Sequence, residues 1–63
     1  MKLTKVELEL LQEIDDKGYA TPFRAVDFEA LKYMRLEGLY NKHGTTKRGR
    51  EVLERSRDGT DVT

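Results

Sequence analysis

Residues 30–54 read ALKYMRLEGLYNKHGTTKRGREVLE, from Ala30 to Glu54, and two changes of pattern inside this stretch decide the fold. Up to Leu36 the apolar residues Leu31 and Met34 stand three apart, the spacing of one helix face. Gly38 ends that helix. Leu39-Tyr40-Asn41, Lys42-His43-Gly44 and Thr45-Thr46 then read as a short hairpin, because Tyr and Thr favour strands while Asn, His and Gly favour tight connections. Thr46 is a competent cap for a last helix over about 47–56, with Val52 and Leu53 facing inward and Glu51 four residues before Arg55. Gly49, in the first turn of that helix, lowers helix propensity by up to about 1 kcal/mol relative to alanine. Its presence there predicts a close backbone approach.

Upstream, Thr4 and Glu7 form a capping box, and Leu3 and Leu8 occupy the positions of a hydrophobic staple. Val6, Leu10, Leu11 and Ile14 make the inward stripe of a helix over about 5–16. Gly18 stops it, with Tyr19 placed to fold back onto Ile14 as in a Schellman motif. Thr21-Pro22 then signals a new helical start. On one straight helix Phe23, Val26, Ala30, Tyr33 and Met34 share a side, while Ala25, Phe28 and Leu36 point away. Two arrangements satisfy this: a partner covering the second face, or a break near Asp27 that leaves 22–26 as a turn and 28–37 as a helix. The sequence leaves both open. The expected core is Val6, Leu10, Ile14, Leu31, Met34, Leu39, Val52 and Leu53, in one domain over 1–57 with a disordered tail over 58–63.

The order of elements resembles a winged-helix domain, most closely in Ala30-Leu31, Met34, Gly38-Leu39 and Thr46-x-x-Gly49-Arg50-Glu51-Val52-Leu53-Glu54. In many bacterial and archaeal winged-helix regulators two apolar residues three apart anchor the recognition helix. Gly-Leu then enters the wing, and a Thr-x-x-Gly segment opens the next helix. The resemblance covers about 25 of the 63 residues. It implies a mainly α fold with a small β-hairpin, a reduced winged-helix-like three-helix domain of the compact kind found in phages and mobile elements, and it implies DNA as partner. This chain departs from the full pattern. Only Thr21 to Glu37 separates the first helix's exit from Gly38, which is room for one helix and one turn, and Thr45 stands where the family usually has an apolar strand residue.

Charge points the same way. The chain has 12 Lys/Arg and 12 Asp/Glu, for a formal net charge of zero. Residues 1–31 hold four cations and seven anions, and residues 51–63 hold two and four. Residues 32–50 hold six cations against Glu37 alone, a net of +5. A basic block between two acidic ones is the footprint of a polyanion-binding face, the alternative being a solvated surface of uneven charge. The expected nucleic-acid contacts are Lys32, Arg35, Lys42, His43, Lys47, Arg48 and Arg50. Cations at a helix N-terminus oppose its dipole, so Lys47, Arg48 and Arg50 ask either for a bound phosphate or for local acidic partners, such as Glu54 for Arg50. Phe23, Phe28, Tyr33 and Leu36 exceed what so small a core accommodates and are the expected dimer contacts.

The chain has no cysteine, one histidine, one serine and no Gly-rich phosphate loop, so no catalytic residues, cofactor, metal or small-molecule substrate are expected. No apolar run exceeds two residues, which predicts no membrane span, and cytoplasm is the expected compartment. A protein–protein adaptor on the same frame, using the apolar excess of residues 23–36, is the competing reading.

Overall fold

The computed structural model describes residues 3–57, so the tail expected over 58–63 lies outside the described residues. Three helices and one hairpin follow in the order α1 (Lys5–Lys17), α2 (Ala25–Leu36), β1 (Tyr40–Asn41), β2 (Gly44–Thr45) and α3 (Lys47–Arg57). The fold is mainly α with a small antiparallel hairpin, and its layout matches a reduced winged-helix-like domain. α1 begins as the sequence predicts: the Thr4 N–H donates to Glu7 Oε1 at 2.8 Å, and the Glu7 N–H to Thr4 Oγ1 at 3.2 Å. It closes at Gly18, whose N–H donates to the Ile14 carbonyl at 2.7 Å. Tyr19 does not fold back over this end; it is 59% exposed.

The Schellman closure is instead at the end of α2. The Leu39 N–H donates to Met34 O at 2.9 Å and the Gly38 N–H to Arg35 O at 3.1 Å, with Gly38 at φ 77°. A left-handed residue is required at this point, and glycine adopts that conformation without a Cβ penalty. The motif has its apolar contact as well, since Leu39 and Met34 are both fully buried in the core.

The start of α2 differs from the expectation. Thr21 is not its cap, Pro22 is not its first residue, and there is no break at Asp27. Asp27 lies in the first turn, 2% exposed, and its Oδ2 accepts the backbone N–H groups of Phe23 at 3.2 Å and Arg24 at 3.1 Å. A carboxylate inside the helix reaches backwards and fixes its entry, which places the start at Ala25. Thr21 is held from the other direction. Its N–H and hydroxyl both donate to Glu13 of α1, at 3.2 and 3.0 Å.

Leu10, Leu11, Ile14, Ala30, Met34, Leu39 and Leu53 are buried: stripes from α1 and α2, the single Leu53 of α3, and Leu39 from the connection before the hairpin. The expected core members Val6, Leu31 and Val52 pack against this cluster only half-buried, whereas Leu11 and Ala30 belong fully to it. Helices α1 and α2 are amphipathic, and α2 turns Asp27, Ala30 and Met34 inward at the i, i+3, i+7 spacing.

Hairpin and α3 are locked to the end of α2 by two residues. Thr46 Oγ1 donates to Gly38 O at 2.6 Å and accepts the Gly49 N–H at 3.1 Å, so one hydroxyl caps α3 and ties it to α2. Gly49 is buried against the hairpin: a Cβ there would collide with the Leu39 carbonyl oxygen and lie 2.8 Å from Thr45 Cγ2. The expected close approach is present.

Candidate nucleic-acid interface

Seven residues of the basic block fall on three adjoining elements, and all seven are exposed. Lys32 and Arg35 lie on the outer side of α2, away from Ala30 and Met34. Lys42 and His43 form the two-residue turn between β1 and β2, with Gly44 in β2 rather than in the connection. The turn is held by the His43 N–H donating to Asn41 Oδ1 at 2.8 Å. Lys47, Arg48 and Arg50 occupy the first turn of α3. Arg35 is close enough to the hairpin to act on Tyr40. Burial pushes the Tyr40 phenol above its ordinary value, while the Arg35 charge pulls it down. The phenol donates to Leu31 O at 3.0 Å, which fixes the hairpin against α2.

Two of the cations have acidic neighbours, though not the expected one. Arg50 pairs with Asp15 of α1 at 3.6 Å rather than with Glu54, and Arg48 reaches Glu37, the C-cap of α2, at 3.7 Å. At 100° per residue the two arginines stand on opposite flanks of α3, so they serve different sides of the molecule. These acids offset the unfavourable cations at the α3 N-terminus. Both pairs are long and well exposed, with Arg48 and Arg50 at 61% and 68% side-chain exposure, and pairs of this kind contribute about 0–1 kcal/mol. Among the described residues Lys32, Arg35, Lys42 and Lys47 form no ion pair.

The expected dimer contacts are exposed too: Phe23 by 82%, Leu36 by 77%, Phe28 by 58% and Tyr33 by 42%. Phe23 lies before α2, with the Arg24 guanidinium 5.3 Å from its ring centroid, and is not part of the helix face. Phe28, Lys32 and Leu36 follow one another at four-residue spacing on the outer side of α2, with Glu29 and Arg35 beside them. Phe28, Leu36 and the first two cations therefore interleave on one face. The sequence pattern contains this periodicity, but sorting residues by chemistry into two separate sets conceals it.

A second group of charges stands apart, in a hollow of about 210 Å³ between α1 and α2 lined in part by Glu9, Glu13, Arg24 and Asp27. Two of its carboxylates, Glu13 and Asp27, are engaged. Hydrogen bonding from the Thr21 backbone and hydroxyl lowers the Glu13 pKa, and the Arg24 side chain, with the Phe23 and Arg24 N–H groups, lowers that of Asp27 against its burial. Among the described residues no three His, Cys, Asp or Glu gather as a metal ion would need, and no helix is long and apolar enough to cross a membrane. No family model, curated protein or solved structure matches this chain.

Proposed function

We propose that this chain is a small, non-enzymatic DNA-binding module of reduced winged-helix form that regulates or assists a process on DNA. It grips the phosphate backbone mainly through Arg35, Lys42, Lys47 and Arg48. The observation that carries this reading is the state of the basic block: six exposed cations on three adjoining elements, four of them in no ion pair among the described residues and two in weak surface pairs that a phosphate displaces. Contacts of this kind supply affinity and position rather than sequence information, and the short α2 offers few side chains to base edges. The test is fluorescence anisotropy with a short duplex at low salt. Lys42→Ala with Lys47→Ala weakens binding tenfold or more on every sequence, while Lys5→Ala with Lys17→Ala leaves it nearly unchanged. Equal losses from the two pairs contradict the proposal.

One observation favours a protein-contact role on the same frame. Leu36 and Phe28 stand exposed on α2 where a monomer gains nothing from them. An adaptor binds through this face and is indifferent to the cations of hairpin and α3, so the same mutant pairs separate the two readings.

A further inference from the structure

The outer face of α2 is self-complementary, and we infer that it docks a second copy of this chain in an antiparallel α2–α2 pair centred between Ala30 and Leu31. Five exposed residues define the face: Ala25, Phe28, Glu29, Lys32 and Leu36, with Tyr33 on its flank. In an antiparallel pair about a two-fold axis, each residue meets the one equally far beyond the axis on the other helix. Centring the axis between residues 30 and 31 sets Leu36 over the small Ala25 of the second copy and Glu29 beside its Lys32, with Phe28 and Tyr33 on the two flanks of the seam. Each contact occurs twice.

Charge selects this register. Shifting the axis to Lys32 keeps Phe28 against Leu36 but places the two Lys32 ammonium groups against each other on the axis, an unfavourable like-charge contact in a desolvated seam. The chosen register pairs every charge in the seam with its opposite and leaves Arg35 at the rim. It also gives large residues something to cover: Leu36 and Phe28 are 77% and 58% exposed in the single chain. Domains of this size commonly gain stability by oligomerising. The second copy is therefore the occupant whose charges the face itself specifies. A contact of two 12-residue helices stays below the ~1,200–2,000 Å² of stable interfaces, so the dimer is weak and forms at tens to hundreds of micromolar.

The pairing is independent of DNA binding and assigns Lys32 to the seam rather than to phosphate, leaving hairpin and α3 outside the contact. Sedimentation of the DNA-free protein between about 10 µM and 1 mM tests it. A monomer–dimer equilibrium is expected, weakened at least tenfold by Glu29→Lys and by Lys32→Glu alone. The double variant E29K/K32E restores it, because the swapped charges again face their opposites across the axis. Circular dichroism confirms that each variant is folded. A monomer throughout the range overturns the inference, and so does a dimer insensitive to the single reversals or one that the double variant fails to restore.

Discussion

Gly49 is chosen for the room it leaves, not for a special backbone angle, since the space where a side chain would begin is filled by the Leu39 carbonyl and the Thr45 methyl. Gly49→Ala pushes α3 off the hairpin and is expected to lose about 1–3 kcal/mol, read from thermal unfolding by circular dichroism. A variant as stable as the parent removes Gly49 from this role. Thr45 next to it has the reverse problem: its Oγ1 is buried with no hydrogen-bond partner among the described residues. Thr45→Val keeps the shape and removes the orphaned hydroxyl, so it is expected to gain about 1 kcal/mol in urea unfolding, and a loss of that size contradicts the assignment. Asp27 works through charge. Its native pKa lies below the ordinary 3.8, chiefly because the Arg24 side chain bonds the carboxylate. A group more acidic in the folded than in the unfolded state stabilises fully above its unfolded value and loses that contribution as pH falls through the native one. Stability is expected to decline below about pH 4. Asp27→Asn is expected to be less stable than the parent at pH 7 and to show less of that acid decline.

At the scale of elements, one hydroxyl joins the last helix to the end of the second. Thr46 Oγ1 caps α3 through the Gly49 N–H and ties it to α2 through Gly38 O. Thr46→Val is expected to lose about 1–2 kcal/mol, while Thr46→Ser, which keeps the hydroxyl, loses much less. Equal losses would mean that the methyl, not the hydroxyl, matters. Elements whose determinants lie within a few residues were legible in the sequence: the Thr4–Glu7 box, the stop at Gly18, the hairpin after Gly38 and the cap at Thr46. The start of α2 was not, because it depends on groups reaching across the chain. Thr21-Pro22 has the local form of a helix start, but Glu13, eight residues back, takes both Thr21 donors, and Asp27 fixes the entry from downstream. The same limit applies to the site. Its residue types and their exposure followed from charge and periodicity. The Asp15 and Glu37 partners of Arg50 and Arg48 follow only from how the helices pack.

For the molecule as a whole, a chain of 63 residues has roughly 3–9 kcal/mol of stability to lose. Leu11 is fully buried between the helices, and Leu11→Ala is expected to remove about 2–5 kcal/mol of it, leaving a protein near its unfolding threshold at room temperature. Charge is distributed on the same scale. A net-neutral chain is strongly acidic over its first half and basic over residues 32–50, so association with a polyanion through one side does not require an overall positive charge. Arg50, on the flank of α3 opposite Arg48, is paired with Asp15 of α1, and Arg50→Ala is expected to weaken DNA binding less than Lys47→Ala. The most direct test of the central claim is the salt dependence of duplex binding, measured by fluorescence anisotropy between about 50 and 200 mM monovalent salt. With Arg35, Lys42, Lys47 and Arg48 on phosphates, log K is expected to fall against log salt with a slope of about −3.5 to −4 per protomer. No binding at the lowest salt, or binding whose slope stays near zero, contradicts a phosphate-gripping module and leaves the exposed face of α2 as the working surface.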